Sequence, residues 1–183
     1  GVDFKALPGL TWTEVIRKAR LGQIDILPTI ARTPKREKFL NFTKPYITFP
    51  MVIATRKDAA FVDSIAGLEG KRVGVVKGYV SQELIENDHK SVNLVLVKNL
   101  SEGLQQLSDG KLDAFVDNLV TITHQIHLLN LSDLKIAAPT QYKFELSMGV
   151  RKGLPELIPI LNKALQTITA RERATIVNPW TAI

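Results

Sequence analysis

The chain has 183 residues, 45% of them hydrophobic and 23% charged, with a formal net charge of +6 and no cysteine. That length holds one large domain or two small ones, and the composition is ordinary for a globular protein. Disulfides and thiolate metal sites are excluded, no apolar run approaches the roughly 20 residues of a membrane helix, and the basic residues are scattered rather than clustered with aromatics as a nucleic-acid face requires. No basic-then-apolar leader opens the chain, so any signal peptide is expected to be absent already. The scattered positive charge gives a mild preference for anionic small ligands.

Apolar residues at 2–7 predict a strand. Thr11-Trp12-Thr13-Glu14 is a capping box, and Trp12, Val15, Ile16 and Ala19 give the following helix one apolar face, with Gly22 as its stop. A strand is expected at 24–30, then a turn carrying Thr33 and Arg36, an aromatic–proline segment at 42–46 and a second apolar strand at 51–55. Further on the pattern predicts helices at 62–68, 81–87, 101–108 (capped by Ser101, stopped by Gly110) and 121–129. Strands are predicted at 72–76, 92–97, 112–116 and 134–138, with an extended segment at 144–151. A long helix at 155–169 presents Leu157, Ile160, Leu161, Ala164 and Leu165 on one side, and 170–183 forms a further helix or turn. This alternation indicates an α/β protein with mainly parallel sheets.

One pattern occurs twice. Gly22-Gln23-Ile24-Asp25 and Gly110-Lys111-Leu112-Asp113 each follow an amphipathic helix and precede an apolar strand, on either side of residues 47–50. Two similar lobes are the better reading. Ligands sit beyond the carboxyl ends of strands in such sheets, so Thr29 and Asp117, each four residues past its Asp, are expected to line a cleft.

Three constellations can carry recognition. The Arg36 guanidinium offers a planar fork for a carboxylate, weighed evenly against a structural ion pair with Glu37 or a surface arginine. In an open cleft it would be exposed. Residues 73–81 run from strand through a glycine turn to a helix start, where free N–H groups attract anions; Tyr79 can add an aromatic wall. An ordinary βα turn is the favoured reading of that segment without other evidence. Asp117-Asn118 ends a strand and can meet a ligand ammonium or polar group, or can serve as a turn or helix cap. Enzyme signals are weak. His124 and His127 have no evident third metal ligand, His89 stands alone, and no nucleophile elbow is present.

These residues resemble the type 2 periplasmic solute-binding proteins, in particular the amino-acid-binding branch and the Venus-flytrap sensor domains of bacterial receptors. The likeness rests on G-x-I-D (Gly22 to Asp25), T-x-x-R (Thr33 to Arg36), F-T-x-P-Y (Phe42 to Tyr46), G-K-x-V-G-V-x-x-G (Gly70 to Gly78), G-K-L-D-A (Gly110 to Ala114) and L-S-M-G-V-R-K (Leu146 to Lys152). The resemblance implies an α/β, two-lobed fold with two hinge crossovers near 47–50 and 143–147. Lobe one would comprise 1–48 and 148–183, and lobe two 49–147. Arg36 would grip the ligand carboxylate. Thr29, the backbone of Ala31, and the turn at Tyr79, Val80 and Ser81 would add contacts. The relatives' ammonium-binding Asp aligns with Asn118, so Asp117 would have to substitute for it. Relatives carry about forty further residues before the segment matching Val2, so lobe one is expected to be incomplete at its N-terminus, either as a fragment or through completion by another copy.

The leading functional class is therefore binding without catalysis, with no cofactor or metal and no nucleic acid. The expected partner is a small anionic or zwitterionic ligand, bound outside the cytoplasm by a sensor domain of a signalling receptor. A homodimer and a membrane-anchored signalling or transport partner are further expectations. A free transport protein is the alternative within the class. A cyclohexadienyl-dehydratase-like enzyme on the same scaffold, with Glu83 or Asp117 as its acid, ranks well below.

Overall fold

The computed structural model describes residues 3–181. Helix α1 (Trp12–Arg20) starts at the predicted box. Thr11 Oγ1 accepts from the Glu14 N–H at 3.4 Å, and the Glu14 carboxylate accepts from the Thr11 N–H at 2.8 Å. After the helix Gly22 takes φ +67°, a conformation that costs glycine nothing because it has no Cβ. Strand β1 (Ile26–Ala31), helix α2 (Pro34–Glu37), β2 (Leu40–Phe42) and β3 (Ile47–Arg56) follow. Next come β4 (Arg72–Val76), α3 (Val80–Asp88), β5 (Asn93–Val97), α4 (Leu100–Ser108), β6 (Ala114–Asn118) and α5 (Leu119–Leu128). The chain then runs through β7 (Leu134–Arg151), α6 (Leu157–Thr167) and α7 (Ala170–Thr181).

The strands form one hydrogen-bonded path, β1-β7-β3-β6-β4-β5, with β2 also on β7. Only β4–β5 and β4–β6 are parallel; β1–β7, β2–β7, β3–β6 and β3–β7 are antiparallel. The expected mainly parallel sheet is thus corrected. Helical crossovers make β4, β5 and β6 parallel, but the two long strands β3 and β7 run against each other along their length. The two predicted crossovers are each other's partners, with Ile47 opposite Leu146 and Pro50 opposite Lys143. The separate segments expected at 134–138 and 144–151 fuse into the 18-residue β7. Their junction is an irregularity where the ladder slips between Pro50 and Val52, and Thr140 Oγ1 there donates to the Met51 carbonyl at 3.0 Å.

Three other expectations need correction. Residues 3–7 form no strand, and Val2 lies outside the described residues. Phe4 and Leu7 are 70% and 53% exposed, and a strand without a partner to bury its apolar face does not persist. The helix at 62–68 shrinks to a 3₁₀ turn, Ala66–Leu68, too short to repay nucleation, while Ile65 and Leu68 still insert into the core. Helix α4 is capped by Asn99, not Ser101; Asn99 Oδ1 accepts from the Glu102 N–H at 2.9 Å.

Apolar side chains gather in three clusters. One holds Ala19, Ile24, Leu27, Ile30 and Leu40 between α1, β1 and β2. The other two cover opposite faces of β3, β6 and β4, one around Ile53, Val75 and Val116, the other around Phe115, Leu104 and Ile122. Strand β1 pairs only with β7 and forms an edge, and α6 buries none of its residues.

Phe115 gives this core a sharp test. Its fully buried ring fills a slot between Gly74 and Gly103, and a Cβ on Gly103 would stand 2.1 Å from its Cε2 atom. Alanine favours a helix over glycine by about 1 kcal/mol, whereas overpacking costs about 1–3 kcal/mol. The ring cannot yield because Gly74 closes its other side, so overpacking wins. Gly103→Ala is expected to lower stability by about 1–2 kcal/mol in urea unfolding; a stabilised variant would contradict this packing.

Candidate functional site

The spacing T-x-x-R has a local cause. Thr33 caps α2, its Oγ1 accepting from the Arg36 N–H at 3.4 Å, and Pro34 occupies the first helical position, where its missing N–H costs nothing. The short helix therefore fixes Arg36 at its third position. Its guanidinium turns inward. Nη1 donates to the Ala31 carbonyl at 2.7 Å and Nη2 to the Gly78 carbonyl at 3.0 Å. Two of its five N–H donors are used, leaving three. Glu37 pairs with Arg32 instead, so the expected alternative of an Arg36–Glu37 ion pair does not form. The expected exposure is also corrected: Arg36 is 4% exposed, because carbonyls from both sides enclose it. Burial lowers its pKa from the ordinary value, and the Glu83 carboxylate acts in the opposite sense.

The Gly78 carbonyl is a junction. It also accepts from Trp12 Nε1 at 2.9 Å, so α1 and α2 both reach the turn between β4 and α3. Gly78 takes φ +78°, which lets its carbonyl point at both donors while its N–H meets the Gln82 side chain at 2.7 Å. The Arg36 guanidinium lies 5.5 Å from the Trp12 ring centre, and Tyr79 meets the same ring edge-on at 5.7 Å. Trp12 is a site residue that sequence reasoning missed, since membership of an apolar helix face accounted for it. The usable signal was its position: an indole at the first helical residue has its N–H free to bond outside the helix.

Helix α3 begins here. Its cap, Tyr79, supplies no side-chain acceptor, and a helix start leaves its first N–H groups without intrahelical partners. Val80 and Ser81 are buried, and Ser81 Oγ has no hydrogen-bond partner. Asp117 closes the same end of the sheet. Register with β4 sets Ala114 beside Val73 and Phe115 beside Gly74, which brings Asp117 level with Val76, two residues before Gly78. One carboxylate oxygen accepts from the Asn118 N–H at 2.7 Å, and the other is buried and unpartnered. Burial raises the Asp117 pKa to about 7, opposed by that N–H bond. Burial, seconded by the Asp117 charge, raises the pKa of Tyr79. Asn118 caps α5, its Oδ1 accepting from the Val120 N–H at 2.9 Å.

Thr29 stands apart. It is exposed in the register slip between Leu27 and Ile30, and its hydroxyl bonds the Tyr46 phenol at 2.7 Å. Ala31 contributes its carbonyl to Arg36. Two hollows lie away from Arg36. One, of about 320 Å³, is bounded by Arg32, Lys44, Glu145 and Asn162; the other, of about 670 Å³, lies between 45–49 and α7. No three His, Cys, Asp or Glu side chains among the described residues could jointly hold a metal ion, and no helix there is long and apolar enough to cross a membrane.

The whole chain, residues 1–183, matches the family described as Bacterial extracellular solute-binding proteins, family 3. It is 30% identical over 181 residues to the Virulence sensor protein BvgS of Bordetella bronchiseptica, covering 98% of this chain and 15% of that protein. ABC transporter arginine-binding protein 1 of Escherichia coli is 28% identical over 141 residues, 75% of this chain and 57% of the relative. The chain thus spans well under two thirds of either relative's length. Among solved structures, the periplasmic VFT2 domain of Bordetella pertussis BvgS superposes with a TM-score of 0.82 at 30% identity, covering 93% of this chain and 73% of that one. The fold is the α/β fold of two-lobed, periplasmic-binding-protein-like domains.

The buried carboxyl makes stability depend on pH. Asp117 titrates near 7 when folded and near 3.9 when unfolded, so between those values the folded chain holds the extra proton. Its stabilising contribution is complete below pH 3.9 and is lost as pH rises through 7. Chemical denaturation of wild type against Asp117→Asn is expected to show their difference in stability changing by up to about 4 kcal/mol between pH 4 and 8, in the direction of wild-type loss. A difference constant with pH would contradict the assignment.

Proposed function

We propose that this chain, which belongs to the bacterial extracellular solute-binding proteins of family 3, binds a small carboxylate-bearing solute outside the cytoplasm by closing two lobes on it. One observation carries the reading. Arg36 is a buried guanidinium with three N–H donors unspent, and among the described residues no carboxylate forms an ion pair with it. A buried cation without a paired anion is costly, and an anionic guest supplies the charge the site lacks. The start of α3 adds N–H groups and a favourable dipole, and Ser81 Oγ adds an unused hydroxyl. Trp12 lies against the guanidinium and Tyr79 against Trp12, and together they give the guest an apolar wall.

Residues 1–48 with 148–183 form the first lobe in this reading, and 49–147 the second. Strands β3 and β7 cross between them as the hinge. The Arg36 and Trp12 bonds to Gly78 hold the two sides together, and a guest that bonds to both shifts the population further toward closure. Thr29, bonded to Tyr46, contributes at the margin of the cleft, whereas Asn118 acts through the cap of α5. The resemblance to the BvgS domain favours a sensor domain of a signalling receptor, with a membrane-anchored part beyond this chain. The arginine-binding relative keeps a transporter's solute-binding protein as the second reading.

Arg36→Lys keeps the charge and loses the fork, which makes it a cleaner variant than Arg36→Ala, where the Ala31 carbonyl would lose its side-chain donor, the Gly78 carbonyl would keep only Trp12, and a group left unpaired costs about 1–3 kcal/mol. Thermal-shift screening of amino acids and organic acids is expected to find a carboxylate that raises the melting temperature of wild type. For that solute Arg36→Lys should bind at least about tenfold more weakly, a loss of about 1.4 kcal/mol. Equal shifts in both proteins would remove Arg36 from the site.

A further inference from the structure

The two C-terminal helices stand off from the rest of the molecule. Helix α6 buries none of its residues, and residues 170–178 of α7 bury none either. Hollows of about 320 Å³ and about 670 Å³ lie where the two helices face residues 42–49. A helix that buries no apolar side chain has little packing to hold it down, so polar bonds decide where it rests. Such bonds cross both gaps. The Lys44 N–H donates to Asn162 Oδ1 of α6 at 2.9 Å, and Arg173 Nη1 of α7 donates to the Tyr46 carbonyl. Local sequence places Arg173. Thr169 Oγ1 accepts from the Glu172 N–H at 3.2 Å, and the Glu172 carboxylate accepts from the Thr169 N–H at 2.8 Å. This capping box gives α7 a start of its own, and the Arg173 N–H closes the first turn on the Thr169 carbonyl at 2.9 Å. Tyr46 commits each of its polar groups to a different part of the chain. Its N–H donates to the Leu146 carbonyl of β7 at 3.0 Å, and its own carbonyl receives Arg173. Its phenol donates to the Pro28 carbonyl at 2.9 Å and so accepts from the Thr29 hydroxyl at 2.7 Å. Pro28 and Thr29 lie in the slip of edge strand β1, and the residue after Tyr46 begins β3.

We propose that α7 is a releasable strap, latched by Arg173 on the Tyr46 carbonyl, and that its docking is coupled through Tyr46 to the β1 slip at Pro28 and Thr29. The phenol bonds hold the ring of Tyr46 and the β7 bond holds its backbone, and together they aim the carbonyl at α7. When the slip shifts, the ring loses its anchor, the carbonyl direction broadens and the strap loses its seat. When the strap leaves, Tyr46 loses one of its fastenings and the slip loosens in turn. The coupling is reciprocal because both events act on one residue. Strand β1 is paired on one side only, which leaves its slip free to adjust. The Asn162 bond keeps α6 against the same loop, so a released α7 stays within reach of its latch. Helix α7 also lies beside α5. In the two-lobe reading those helices belong to different lobes, so closure and docking of the strap go together. The bonds at Tyr46 do not depend on which solute the cleft takes, and the inference stands apart from the carboxylate reading of Arg36.

The test needs no solute. Hydrogen exchange, read by mass spectrometry on the full chain, compares wild type with Tyr46→Phe, which removes the phenol bonds and keeps the carbonyl, and with Arg173→Gln. Gly103→Ala, in the Phe115 slot, is the control for general loss of stability. In Tyr46→Phe the amides at 171–178 are expected to exchange at least about fivefold faster than in wild type, although none of the lost bonds reaches α7. In Arg173→Gln the segments 29–31 and 46–49 should exchange faster, and Gly103→Ala should leave α7 at the wild-type rate. If Tyr46→Phe fails to fold, Thr29→Val takes one partner from the phenol and is read in the same way. Faster exchange at 29–31 in Tyr46→Phe with α7 unchanged would sever the coupling. Equal acceleration of α7 in Gly103→Ala would reduce it to general loosening, and unprotected α7 amides in wild type would remove the strap. Each of these three results overturns the proposal and leaves the Arg36 reading untouched.

Discussion

A single backbone carbonyl, that of Gly78, organises this molecule. It takes one N–H from Trp12 and one from Arg36, residues more than forty positions earlier on two different helices. Without it the guanidinium would lose one of its two acceptors inside the protein, at a site where burial already disfavours its charge. The left-handed turn at Gly78 sets the direction of that carbonyl, and the residue after it begins α3. Loop conformation, charge placement and the meeting of the two sides are therefore one constraint.

The long strands β3 and β7 carry a local irregularity of their own. β3 and β7 pair on either side of the slip near Pro50, and the slip itself is packed: Met51 and Phe144 belong to one apolar cluster and Val52 to another. Pro50 and Pro139 flank the slip, where missing N–H donors disturb least.

Much of this was legible in the residues. The capping box at Thr11, the glycine stops at 22 and 110 and strand β4 follow from local chemistry that tertiary contacts do not override, whereas the two crossovers came from the family resemblance. Arg36 was singled out as a planar fork on a turn after the strand, while the short helix that T-P-x-R starts there was not read. What was not legible depends on partners distant in sequence. The strand expected at 2–7 needs a neighbour, and residues 3–7 have none among the described residues; the parallel or antiparallel sense of a strand is set by its connections rather than its composition. The burial of Arg36 and the part played by Trp12 both hang on the Gly78 carbonyl, which has no side chain to announce it. The orphaned oxygen of Asp117 was equally hidden, because its burial depends on β3 and β4, the strands paired on either side of β6. The echo of Gly22–Asp25 in Gly110–Asp113 did carry through: each glycine adopts positive φ and each Asp pairs with an arginine, Arg151 or Arg72.

The most direct measurement is a crystal structure of the chain with a carboxylate solute found by thermal shift. The account places the guest's carboxylate within hydrogen-bond distance of the Arg36 guanidinium and the first N–H groups of α3, with Trp12 and Tyr79 against its body. A guest seated instead in the hollow beside Lys44 and Asn162, with Arg36 still bonded only to the Ala31 and Gly78 carbonyls, would contradict it.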